Sequence, residues 1–177
     1  LRGRLRQSVM NESYCTTRQF AKRDRDYVKH CGPTAITNLV LALSGDPALE
    51  PARVFDQVAA IGRRLGVYWN MRATKHFGGT SDALAGLYIR QALAHFGVAA
   101  RVRLGGPATA ARVRQALAEG SIVYLEMHLH PKYHNHHLLI YGADRQGLRV
   151  ADGWQQEPVY LSDRDLRRCM FFSIINS

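Results

Sequence analysis

Cys31 opens the run Cys31-Gly32-Pro33-Thr34-Ala35-Ile36-Thr37-Asn38; far downstream stand His136-His137-Leu138-Leu139-Ile140-Tyr141-Gly142 and then Ala151-Asp152-Gly153-Trp154. A thiol, an imidazole and an acid are the parts of a nucleophilic site. The thiolate attacks an amide carbonyl, the imidazole carries the proton, and the acid holds the ring in one tautomer. An inert buried cysteine would suit the same sequence around Cys31, so the weight of the reading falls on the way the three segments are brought together.

The flanks of each residue say which element positions it. Pro33 suits a first helical turn, where its missing N–H removes a donor without a partner. Ala35, Ile36, Leu39, Val40 and Leu43 recur at helical spacing, and Ser44-Gly45-Asp46-Pro47 ends the helix. A sulfur there sits at the positive end of the helix dipole, which favours thiolate. Leu138 to Tyr141 is a short apolar strand, Asp144-Arg145-Gln146-Gly147 a turn, and Leu148 to Ala151 a returning strand. His136 precedes the first strand of this hairpin and Asp152 follows the second. Antiparallel pairing therefore brings these two residues together.

These segments resemble the papain-like cysteine peptidases, and among them the bacterial branch related to the C39-like peptidases, whose nucleophile often stands in a Cys-Gly-Pro-Thr-Ala run. In that superfamily the catalytic histidine commonly lies six positions before a glycine, and an asparagine or aspartate on the next strand orients it. His136 is six before Gly142 and His137 only five, while Asp152 lies sixteen after His136. The resemblance thus implies a Cys31, His136, Asp152 triad in an α+β, papain-like fold. A helical lobe would carry the nucleophile and an antiparallel β lobe the histidine and acid. It also implies that Trp154 shields the His136–Asp152 bond from water. The family's oxyanion glutamine, about six residues before the cysteine, is replaced by Arg25, which leaves Gln19 as the candidate for that role.

The remaining elements follow the same order, helices before strands, which is the α+β pattern. Helices are expected over 49–61, 82–96 and 110–119, the last capped by Thr109, and further strands over 98–104, 121–127 and 169–175. With 177 residues and 46% hydrophobic content the chain fits one domain spanning 1–177, with residues 1–12 reading as a basic flexible arm. No apolar run approaches the ~20 residues of a membrane span, and no secretory signal is recognised.

The net charge of +10 is half accounted for by residues 1–30, where eight Lys/Arg face three acids. Elsewhere the arginines are scattered without interleaved aromatics. No nucleic-acid partner is expected, and an acidic peptide or protein substrate is favoured. Cys15 and Cys169 read as free core cysteines. Five histidines, His128, His130, His134, His136 and His137, fall within ten residues. If the strand persisted, His128 and His130 would point the same way, but no recognised metal-ligand spacing accompanies them, so no metal and no cofactor is expected. Besides a peptidase, the residues leave open a papain-like acyl transferase or deamidase, a peptide-binding relative with weak catalysis, and a histidine-loop metal-binding protein.

Overall fold

The computed structural model describes residues 14–21, 29–70 and 78–177. The expected basic arm of residues 1–12 and the Arg25 position lie outside them. In chain order the elements are α1 (Thr17–Ala21), α2 (Cys31–Ser44), α3 (Pro51–Arg64), β1 (Tyr68–Asn70), β2 (Gly78–Thr80), α4 (Ala85–His95), β3 (Ala100–Pro107), α5 (Ala110–Ala118), β4 (Ile122–His130), β5 (His134–Asp144), β6 (Gly147–Ala151), β7 (Val159–Leu161) and β8 (Cys169–Asn176). A 3₁₀ turn, Asp163–Leu166, joins β7 to β8. The α+β expectation holds: helices fill the first half, and six antiparallel strands in the order β3-β8-β4-β5-β6-β7 form the main sheet. Among the described residues no helix is long and apolar enough to cross a membrane.

Each face of the sheet supports its own core. Tyr124, Leu139, Ala151, Phe172 and Ile174 pack on one side against α2, α3 and α4, whereas Leu125, Leu138, Ile140, Val150 and Phe171 face the opposite side with Val113 and Ala116 of α5. This is strand alternation at work, successive side chains going to opposite faces. On α2, Ile36, Leu39 and Val40 are fully buried, each stabilising by about 1.5–3 kcal/mol. Gly45, in the left-handed conformation at φ 62°, closes the helix as its sequence indicates. At the other end, a Cβ on Gly32 would stand 2.0 Å from Thr80 Oγ1, so glycine lets β2 close over the start of α2.

Asn38 ties the N-terminal segment to this helix. Its buried side chain accepts from Cys15 N at 2.9 Å and donates to Cys15 O at 3.0 Å, satisfying both backbone groups. The same segment reaches the loop after β6: Thr17 N donates to Gly153 O at 2.7 Å and Tyr14 N to Gln156 O at 2.8 Å. One short stretch of chain therefore links α2 to the loop that begins at Asp152. Cys15 and Cys169 are free and buried, in line with the sequence reading.

Two irregularities set the faces of the site residues. In β5 the register shifts between Ile140 and Gly142, inserting one residue opposite β6. In β4 it shifts between Met127 and His130, with Leu129 at φ 52°. The second bulge breaks the alternation expected for the histidines. His130 turns inward to bond Asp165, while His128 stays beside Asp82.

Candidate active site

Cys31 is the first residue of α2, partly exposed, as the proline and apolar stripe after it require. The backbone amides of His137, Gly32 and Cys31 itself favour the thiolate. Burial nevertheless dominates, and with the nearby charge of Asp82 it raises the thiol above its ordinary pKa. The dipole argument from sequence is thus outweighed by desolvation at rest. Cys15 and Cys169 are pushed up to about 11, chiefly by burial.

His136 and Asp152 come together as the hairpin requires, through an unexpected atom. The ring donates from Nε2 to the backbone carbonyl of Asp152 at 2.6 Å, not to its carboxylate. The carboxylate instead builds the loop: Oδ1 accepts from Trp154 N at 2.9 Å and Gln155 N at 3.0 Å, and Oδ2 accepts from Tyr133 Oη at 2.9 Å. Tyr133 stacks on the His136 ring with centroids 5.3 Å apart, and Trp154 packs against the same ring at 5.2 Å. Burial, with smaller contributions from His137 and His130, lowers the imidazole to a pKa of about 4 against the pull of the Asp152 carbonyl and charge. The ring is therefore neutral near neutral pH, protonated at Nε2, and its Nδ1 carries a lone pair. Among the described residues that Nδ1 makes no hydrogen bond.

His137 is engaged differently. Its Nε2 donates to Asp82 Oδ1 at 2.7 Å and its Nδ1 accepts from Tyr124 Oη at 2.5 Å, so both ring nitrogens are committed. Side-chain alternation puts this ring on the face of the sheet that packs against α2, with Leu139, whereas Leu138 and Ile140 lie on the other face. Among the described residues neither imidazole is hydrogen-bonded to the Cys31 sulfur. Asp82 is held below the ordinary carboxylate range: partial burial works to raise it, but the His137 bond and the charges of His137 and His128 prevail.

Gln19 lies on α1 with its side chain exposed. Its backbone N–H bonds Thr16, and α1 is held next to the start of α2 because His30, immediately before Cys31, donates from Nε2 to Thr17 O at 2.6 Å.

Four participants escape sequence reading. Tyr133 braces the Asp152 carboxylate, and His130 in turn accepts from Tyr133 N and Lys132 N through Nδ1, both at 3.1 Å, while Nε2 donates to Asp165 at 3.0 Å. Tyr124 and Asp82 saturate His137. No spacing signals these pairs, since Asp82 is 55 residues from its partner. Beyond Tyr133, Lys132, Arg164, Arg167 and Arg168 line a pocket of about 640 Å³.

With a cysteine at a helix start and a histidine near the start of a sheet strand, comparison with solved structures becomes decisive for the fold. The peptidase domain of Streptococcus ComA, a bi-functional ABC transporter involved in a quorum-sensing pathway, superposes with TM-score 0.54 over 93% of this chain and 96% of its own, at 13% identity. The fold is papain-like, shared with this peptidase domain. A proposed C39-like peptidase from Bacillus anthracis gives TM-score 0.57 over 95% of this chain and 96% of its own, at 8% identity. No protein-family profile matches the sequence, and no curated protein does either.

Proposed function

We propose that this chain is a cysteine peptidase in which Cys31 is the nucleophile, His136 the proton carrier and Asp152 the residue that fixes the imidazole. One observation carries the reading. His136 has Nε2 committed to Asp152 O while its Nδ1 is unbonded, the protonation pattern a histidine needs to accept a thiol proton. His137, with both ring nitrogens occupied, is the poorer base, and it meets the Cys31 sulfur through its backbone N–H rather than its ring.

In this mechanism the Cys31 proton passes to His136 Nδ1 as the sulfur attacks the scissile carbonyl. The tetrahedral oxyanion takes the Cys31 N–H and the Gln19 side chain as donors. His136 then gives its proton to the leaving amine, and a water deprotonated by the same nitrogen releases the acyl group. Thiol and imidazole are both neutral at rest, because burial raises one and lowers the other. The ion pair therefore forms with substrate bound. The substrate is a peptide or protein, and the cluster of Lys132, Arg164, Arg167 and Arg168 favours acidic residues in it.

The neutral resting pair also favours a second reading, a relative that acylates slowly or only binds peptide. Turnover of a mixed fluorogenic peptide pool by the wild type, Cys31→Ala, His136→Gln and His137→Gln decides between them. The proposal expects activity lost in the first two variants and largely kept in the third. Activity kept in His136→Gln and lost in His137→Gln would transfer the base role to His137. A single stoichiometric acylation without release would select the slow relative.

A further inference from the structure

A second cluster lies on the helix-side face of the sheet, and the mechanism above leaves it without a role. Glu126 and His128 are two apart on β4 and share a face, and Glu126 is directly opposite His137 on β5. Asp82, just past β2, completes the group: one donor atom from each of Asp82, Glu126 and His128 lies within 4.8 Å of the others. Glu126 is 3% exposed, and its Oε1 is buried with no hydrogen-bond partner. A buried carboxylate oxygen without a partner is costly, because it loses water and gains nothing in exchange.

The orientation of Asp82 adds a direction to the cluster. His137 Nε2 takes Oδ1 at 2.7 Å, which turns the other oxygen toward His128, with Oδ2 at 3.7 Å from His128 Nε2. This is how a neighbouring group fixes a ligating carboxylate. The cluster opens onto a pocket of about 470 Å³, where Leu84, Met170 and Phe172 supply apolar wall and Arg90 is the only lysine or arginine among the described lining residues.

We propose that Asp82, Glu126 and His128 bind a divalent first-row transition metal of the zinc type. One imidazole with two carboxylates suits such an ion, whereas calcium and magnesium prefer oxygen alone. Bonds of ~2.1 Å require ligand atoms ~3.5 Å apart around a tetrahedral ion. The donors need draw together by only about 1 Å, and the pocket leaves the fourth position to solvent. This site departs from the sequence expectation of no metal. The bulge in β4 removes His130 from the group, and Asp82 enters from a loop that the histidine spacing does not indicate. The inference stands independently of the peptidase reading, although His137 links the two sites by bonding Asp82 and presenting its amide to Cys31.

Titration of the full untagged chain with zinc, followed calorimetrically, tests the proposal, with cobalt(II) as the spectroscopic substitute. One ion per chain is expected, with a cobalt d–d spectrum free of thiolate charge transfer. Glu126→Gln, which preserves shape, and His128→Ala should each weaken binding tenfold or more, while His134→Ala leaves it unchanged. Asp82→Asn, at a partly exposed residue outside the two hydrophobic cores, should fold and should weaken binding as well. No stoichiometric binding by the wild type would overturn the proposal. So would binding retained in folded Asp82→Asn and His128→Ala, or a cobalt–thiolate band that moves the ion to a cysteine. None of these results depends on peptidase turnover.

Discussion

Replacing His136 by glutamine in a Cys31→Ala background isolates the electrostatic environment of the imidazole from catalysis and from any coupling to the thiol. The folded ring has a pKa of about 4, mainly through burial, against ~6.5 in an unfolded chain. Between these values the unfolded state binds the proton and the native state does not. Stability from this group is therefore present above about pH 6.5 and lost as pH falls toward about 4. Between about pH 7 and about pH 4.5 the loss amounts to about 2 kcal/mol. Glutamine does not titrate, so the stability difference between parent and variant should shrink by that amount over the same interval, while contributions common to both cancel. Urea unfolding of the two proteins at a series of pH values measures it. A difference that stays flat would mean that the ring is solvated or charged in the native state, and the neutral, Nε2-protonated histidine on which the mechanism rests would be wrong.

Gly32→Ala should destabilise the fold by about 1–3 kcal/mol, because the new Cβ meets Thr80 Oγ1 at 2.0 Å; an unchanged urea midpoint would refute the close approach of β2 to α2. Asn38→Ala strips the partners from Cys15 N and Cys15 O and should cost about 2 kcal/mol or more, with faster proteolysis near residue 15 as the readout. Asp152→Asn should keep much of the peptidase activity, since the ring is held by the main-chain carbonyl; Asp152→Ala should lose most of it together with the bonds to Tyr133, Trp154 and Gln155. Equal rates in the two variants would remove the carboxylate from the account.

What the sequence makes legible is governed by local chemistry. Pro33, the apolar stripe and Gly45 define α2 almost to the residue, and Thr109 caps α5 by accepting from Arg112 N. The hairpin turn before Gly147 brings His136 to Asp152, because a turn and two alternating strands suffice to align their ends. Legibility stops where contacts are long-range or the strand is irregular. The bulge at Leu129 separates His130 from His128, yet leucine at φ 52° has no signature in the sequence. Tyr124 and Asp82 reach His137 only after the sheet and the loop beyond β2 have assembled. β7 is three residues long with a weak apolar pattern, too short to register as a strand. The resting state of Cys31 is the clearest case: the helix start argues for thiolate, and the balance is reversed by burial that only the folded chain creates.

The central claim, a Cys31 nucleophile served by His136, is tested most directly by covalent labelling with a peptide electrophile followed by mapping of the modified residue. The account predicts that Cys31 is labelled well ahead of Cys15 and Cys169, both of which are buried, and that His136→Gln slows the labelling while His137→Gln leaves it nearly unchanged. Equal modification of all three cysteines in the folded protein, or a Cys31 rate indifferent to His136, would contradict it.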